Sequence, residues 1–175
     1  LEILKKSVTE ELDSYELHKA CSHFPKFFDN LTNWYIRRSR RRFWAKNDEG
    51  NREDKDAAYS TLYHVLLEIV KILAPICPFI SEEIYQNLTD TTNKVQSTKS
   101  VHHELWPKLN ESLIDKGLSE KVNLTQKIIS LGLSLRKQES IKVRQPLKSA
   151  TIAFAKELDI TEQIETIKEE LNVKE

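Results

Sequence analysis

Between Asp29 and Asp48 the chain carries no acidic residue, yet it supplies Arg37, Arg38, Arg40, Arg41, Arg42 and Lys46. Guanidinium groups crowded this closely repel one another unless an anion lies between them. A phosphate backbone is the natural anion, because the planar fork of arginine meets two phosphate oxygens at once. Within this run Arg37, Arg41 and Trp44 follow an i, i+4, i+7 spacing with Arg40 beside them. On a helix they share one side, and the indole there offers a flat surface for an unstacked base or a ribose. A second basic segment, Arg136, Lys137, Lys142, Arg144 and Lys148, is opposed only by Glu139. On the residues alone a second reading of the first run stays open: a solvated basic face whose Trp44 packs against a neighbouring domain.

The formal net charge is zero, with the balance restored chiefly by the acidic stretch from Glu157 to Glu175. A neutral chain can still present an RNA-binding face when its charges are segregated in this way. No residues point to catalysis: there is no glycine-rich phosphate loop, no nucleophile elbow and no metal signature. His102 and His103 have no third ligand at metal spacing, and His18, His23 and His64 are isolated. Cys21 and Cys77 are the only cysteines and form no C-x-x-C pair, so they are expected to be reduced, partly buried thiols. Glu82 and Glu83 stand near a helix start, where the helix dipole alone explains them.

The elements that position these residues are helices. Glycine occurs only at Gly50, Gly117 and Gly132, and apolar residues recur every three or four positions. Helices are expected at about 1–20, 24–46, 53–74, 78–89, 119–138 and 161–171, with Pro25 and Pro78 at helix starts and Pro75 ending the third. Residues 90–118 form an irregular connector, and a short strand is expected at Ala150–Ala155, where Ile152 and Phe154 alternate. The expected fold is therefore mainly α, a helical bundle over 1–90, a connector over 91–118, and a C-terminal helix with a small α/β appendage over 119–175.

On a wheel of about 100° per residue, Phe24, Phe27, Phe28, Leu31, Trp34 and Tyr35 form the core-facing stripe of the basic helix. Arg38 and Arg42 continue that stripe. They are expected to pack against neighbouring helices on carboxylate or carbonyl partners, with a loss of about 1–3 kcal/mol on removal. The helix bearing Tyr59, Leu62, Tyr63, Val65, Leu66, Ile69 and Val70 is apolar all round, and is expected at the bundle's centre, with Leu31, Trp34, Tyr35, Leu62, Leu66 and Ile69 in one core.

At 175 residues, 39% hydrophobic and 31% charged, the chain can bury a sizeable core and has the profile of a soluble domain without a membrane span or signal segment. It is expected in the cytoplasm, as a monomer. It contains no methionine, even at position 1, so it is expected to be a segment of something longer.

Several blocks, in order, resemble isoleucyl-tRNA synthetases: DNLTNWYIRRSRRRFW (29–44), AAYSTLYHVLLEIVKILAPICPFISEEIYQNL (57–88), SVHHELWP (100–107), IKVRQPL (141–147) and IKEELNVKE (167–175). The LAPxxPFxxEEIY pattern is shared with related class I synthetases for aliphatic amino acids, whereas the NWYIRRSRRRFW run and the NVKE ending resemble the isoleucine enzyme in particular. The resemblance covers essentially the whole chain and implies an anticodon-binding helical bundle that grips the anticodon stem-loop of isoleucine tRNA. It implies partners as well, since a separate Rossmann-type catalytic domain of the parent would activate isoleucine with ATP and Mg²⁺. The HIGH and KMSKS signatures of the family are absent from this chain, so it is expected to bind without a cofactor of its own and not to catalyse. Carried over to this sequence, the resemblance places tRNA contacts on Arg37, Arg40, Arg41 and Trp44, with Arg136, Lys142 and Arg144 as a second set. The alternatives are the equivalent domain of a valyl or leucyl enzyme, and a helical interaction scaffold whose basic helix docks on an acidic protein.

Overall fold

Leu4, Val8 and Leu12 recur every four residues and carry one face of α1 (Glu2–Asp13) into the interior. Ala20, Phe24 and Phe27 do the same for α2 (Leu17–Asp29). The computed structural model describes residues 1–46, 51–89, 100–153 and 160–175, which divide into two units, Leu1–Ile114 and Asp115–Glu175. None of the described helices is long and apolar enough to cross a membrane.

In the first unit, α1 and α2 pack on each other, and α4 (Arg52–Leu73) packs on α5 (Pro78–Thr89). Ile69, Val70 and Ile72 of α4 meet Leu4, Val8, Ala20 and Phe24, and Tyr85 of α5 and Val101 complete the core. Fully burying a side chain such as Val8 or Ile72, both 0% exposed, contributes about 1.5–3 kcal/mol. The break between the first two helices differs from expectation. It falls at Ser14–Glu16, where Tyr15 adopts φ 58°, and Pro25 lies inside α2. No glycine or proline marks that break, and Pro25 is tolerated inside α2 where Phe24 before it and Phe27 after it pack in the core.

The fourth helix is central only in its C-terminal half. Tyr59 and Tyr63 are 49% and 43% exposed, Trp34, Tyr35, Leu62 and Leu66 are half-buried, and only Leu31 and Ile69 of the expected core set are buried. The reason is a second, smaller apolar centre in place of a single core. There Tyr35, Phe43 and Tyr59 pack edge-to-face around Ala58, with ring centroids 6.5 and 5.0 Å apart.

The described part of the connector is irregular but pinned. Glu82 Oε2 accepts from Ser100 Oγ and from Val101 N, both at 2.9 Å, and Trp106 Nε1 donates to Thr9 Oγ1 at 2.9 Å. Glu82 thus clasps the connector, a task beyond the helix dipole; its carboxyl is held below the usual range by hydrogen bonds from Gln86, Ser100 and Val101. Cys21 is half-buried as expected, whereas Cys77 is exposed and departs from the partly buried placement expected; both are free thiols.

In the second unit α6 (Lys116–Gln138) starts where Asp115 Oδ1 accepts from Leu118 N at 2.8 Å, an N-cap that satisfies one of the helix's unpaired donors. Its Ile128 and Ile129 pack in the interior with Ile167 and Leu171 of α7 (Ile164–Leu171) as the other buried apolar residues among those described in the unit. The strand expected at Ala150–Ala155 is not seen where the segment is described: residues 151–153 lack regular structure, Ile152 is 37% exposed, and Phe154 and Ala155 lie outside the described residues. Strand-like pairing occurs three residues earlier, where Leu147 bridges Val173 in parallel. Asn172, at φ 49°, ends α7 and turns residues 172–175 alongside 147–150.

Gly132 faces Leu171 so closely that a Cβ there would stand 2.6 Å from its Cδ2. Gly132→Ala should gain about 1 kcal/mol of helix propensity and lose about 1–3 kcal/mol to overpacking against the buried leucine, a net destabilisation of about 1 kcal/mol. Urea unfolding followed by far-UV circular dichroism checks it, and a stabilised variant refutes the close packing of α6 on α7.

Candidate nucleic-acid interface

The basic run does not form one straight α-helix. From Asn30 to Ile36 the backbone is a π-helix, and the N–H of Arg37 reaches Thr32 O, five residues back. Such segments add a residue per hydrogen-bonded turn and rotate everything that follows. A second irregularity at Ser39, with φ −80° and ψ 4°, precedes α3 (Arg40–Phe43). A wheel of constant period therefore misplaces the residues beyond Asn30 relative to one another.

The side chains sort as follows. Arg40 lies with its guanidinium carbon 4.3 Å from the centroid of Trp44, which is 68% exposed, and Arg41 is exposed beside them. This pair is an outward-facing cation–π stack. Arg37 is exposed too, and its Nε donates to Asn33 O at 2.9 Å, a carbonyl that the Arg37 N–H would meet in an unbroken α-helix. Asn33 is steadied in turn by Nδ2 donating to Asp29 Oδ1 at 2.6 Å.

Arg38 sits over the ring of Trp34, four residues back on its own helix, at 5.2 Å. Arg42 does reach a neighbouring helix: Nε donates to both carboxylate oxygens of Asp54 in α4, at 3.0 and 2.9 Å, and Nη2 approaches Oδ1 to 2.7 Å. Both partners are substantially exposed, 37% and 61% in their side chains, so the pair contributes about 0.2–1 kcal/mol rather than the larger loss expected for a buried one. Further ties fasten this region to α4: Lys55 Nζ donates to Ala45 O at 3.0 Å and Tyr35 Oη to Ala58 O at 3.3 Å. They hold Arg40, Arg41 and Trp44 at the end of the basic helix with little freedom to swing as a group.

In the second unit Lys142 and Arg144 are exposed on the loop after α6, with Val143 between them 48% exposed. Arg136 is not with them. It is 4% exposed, and its guanidinium donates to the carbonyls of Lys142, Gln145 and Asn172 at 3.2, 3.0 and 3.1 Å. Its donors serve the fold, so the expected contact of Arg136 with an external phosphate is corrected. The local sequence gave no sign of this, because two acceptors lie six and nine residues on and the third lies thirty-six away. His102 and His103 are exposed on a short 3₁₀ turn, and among the described residues no group of three or more His, Cys, Asp or Glu could hold a metal ion.

The family model described as the anticodon-binding domain of tRNA ligase matches residues 1–152. The chain belongs to that family. Its relatives agree: it is 44% identical over 99% of its length to the isoleucine–tRNA ligase of Clostridium novyi (strain NT), and 45% identical over 98% to that of Protochlamydia amoebophila (strain UWE25). It is likewise 43% identical over its full length to the isoleucine–tRNA ligase of Clostridium tetani. The chain spans 16% of the length of each of these curated relatives. The two basic sets just described therefore lie on an anticodon-binding domain, whose mainly helical architecture is the one the sequence implied.

Proposed function

We propose that this domain grips the anticodon stem-loop of isoleucine tRNA within an isoleucine–tRNA ligase. The observation that carries the reading is the exposed Arg40–Trp44 stack with Arg41 beside it, on a helix whose Arg42 is tied to Asp54. A guanidinium fork meets phosphate oxygens, and an exposed indole stacks on a base that has left its helix. Arg37 flanks this set, and Lys142 and Arg144 form a second one. The names of the relatives favour isoleucine over valine or leucine as the amino acid. On this reading the parent's catalytic domain holds ATP, Mg²⁺ and isoleucine in the cytoplasm of the cell, and this chain holds the tRNA of a monomeric enzyme.

The test is a gel-shift titration of the full-length ligase with isoleucine tRNA, valine tRNA and an RNA duplex of equal charge. Isoleucine tRNA should bind at least about tenfold more tightly than the duplex, and affinity should fall steeply with salt, by about 0.7–0.9 log units per log unit for each phosphate neutralised. Equal affinity for all three RNAs overturns the reading in favour of a scaffold with a generic basic face. Preference for valine tRNA overturns the assignment of the amino acid.

A further inference from the structure

We infer that Arg136 and Asn172 act together as positioning residues. They hold the loop 141–147 in the one conformation that presents Lys142 and Arg144 to RNA, an inference that rests on the tRNA-binding reading of those two cations.

The loop has no apolar means of ordering itself. Residues 142–146 are all exposed, and only Ile141 and Leu147 at its two ends are half-buried. Fixing such a backbone costs conformational entropy at every residue, which no buried side chain of residues 142–146 offsets. The order comes from beneath. Arg136 stands in the last turn of α6, where a cation complements the helix dipole, and it is buried although guanidinium groups rarely are. Its fork gathers the carbonyls of Lys142 and Gln145 from the loop and of Asn172 from the end of α7. Asn172 then supplies what Arg136 does not reach: its Nδ2 donates to Val143 O at 2.9 Å, and its own carbonyl accepts from Leu147 N at 3.0 Å. The carbonyls of residues 142, 143 and 145 are thus all drawn inward, and the side chains of Lys142 and Arg144 remain outside. The loop is closed at both ends by Ile141 N donating to Arg136 O at 2.8 Å and by the pairing of 147–150 with 172–175.

Burying a charge is costly even when every donor is used, and an apolar residue would fill the site at lower cost. What an apolar residue would lack is three directed donors. Lysine would lack the planar fork that spans carbonyls from two segments. The arrangement gains its value from the geometry it imposes on the cations, since ordering them before binding removes a cost otherwise met on binding.

The experiment uses the full-length ligase and isoleucine tRNA, with affinity measured across a range of salt. Lys142→Ala/Arg144→Ala should weaken binding and flatten its log–log salt dependence by roughly 1.5–2 units. Arg136→Lys, which keeps the charge and loses the fork, should weaken binding by about tenfold and flatten the slope in the same direction. Asn172→Gly keeps the left-handed backbone and removes only the bond to Val143; it should do the same to a smaller degree, and it keeps the inference testable should Arg136→Lys not fold. In the Lys142→Ala/Arg144→Ala background both further losses should vanish, because the positioned groups are gone. If Lys142→Ala/Arg144→Ala is silent, the tRNA-binding reading of these cations fails and this inference with it. If that variant weakens binding while Arg136→Lys and Asn172→Gly leave the slope unchanged, or their losses persist in full in its background, the positioning role alone is overturned.

Discussion

Replacing Lys5 with methionine is expected to destabilise the first unit by about 3–5 kcal/mol, lowering its melting temperature by about 10–20 °C. Lys5 is 4% exposed and lies between two carboxylates, with Nζ 2.9 Å from Glu2 and 2.8 Å from Glu68. The pairing continues through Lys71, which reaches Glu68 at 3.7 Å and Glu104 at 3.0 Å, and ends where Tyr85 Oη donates to Glu104 at 2.8 Å. Glu2 also accepts from Asn110 N at 2.8 Å, so the row ties α1, α4, α5 and the connector together. Methionine keeps the volume but removes the cation shared by Glu2 and Glu68, whose side chains are 9% and 15% exposed, leaving Glu68 the longer contact with Lys71 and Glu2 the amide of Asn110. Leaving a buried charge unpaired costs more than the pair itself contributes. Lys5→Met combined with Glu2→Gln and Glu68→Gln should recover part of the loss. A single variant that melts within about 2 °C of the parent refutes the network's role.

The same row sets the pH limits of stability. Burial pulls the Lys5 ammonium down, but its hydrogen bonds to Glu68 and Glu2 outweigh that and hold it above the ordinary 10.5. Burial, and then the bond to Glu104, push the Tyr85 hydroxyl up to about 12. Both groups are raised in the folded chain, so their contribution is complete below pH about 10 and is lost as pH climbs through their folded values. Glu2 runs the other way. Burial would raise it, but the bond from Asn110 N and the pairing with Lys5 hold it below 4.5, so its contribution is present above that value and lost as pH falls beneath it.

What could be read in the sequence was what local period and punctuation determine. The fifth helix begins at Pro78 and ends at Thr89 as its proline and apolar spacing require, and α4 and α6 lie within three residues of the expected bounds at each end. The departures have a common physical origin, in that each depends on something a constant period does not contain. Tyr15 takes a left-handed backbone with no glycine or asparagine to mark it, and the π-helix at Asn30–Ile36 shifts the register of the residues that follow it. The local surroundings of Arg136 and Glu82 do not reveal their roles, because their partners are carbonyls, hydroxyls and amides brought close only by the fold. Exposed arginines could be named from the run of basic residues. Which of them spend their donors internally was settled by distances that a one-dimensional reading lacks.

That sorting sets the outcome expected on the basic helix. Arg40→Ala/Arg41→Ala should weaken binding of isoleucine tRNA by the full-length ligase and flatten its log–log salt dependence by roughly 1.5–2 units, the amount expected when two phosphates lose their counter-charges. Trp44→Ala should cost about 1–3 kcal/mol of affinity with little change in slope, because stacking on a base releases no counterions. Since the Arg40 guanidinium lies 4.3 Å from the Trp44 ring, the two should not act independently, and the cycle through Arg40→Ala, Trp44→Ala and the double variant should show a coupling of about 0.5–1 kcal/mol. Arg42→Ala is the internal control: its fork is engaged by Asp54, so it should cost at most about 1 kcal/mol of stability and leave the salt slope unchanged. Arg37→Ala should fall between these, because its Nε is held by Asn33 O while its exposed head group stays within reach of an anion. If instead Arg42→Ala abolishes tRNA binding without unfolding while Arg40→Ala/Arg41→Ala and Trp44→Ala are silent, the RNA lies against the α4 side of this helix and the exposed stack has another role.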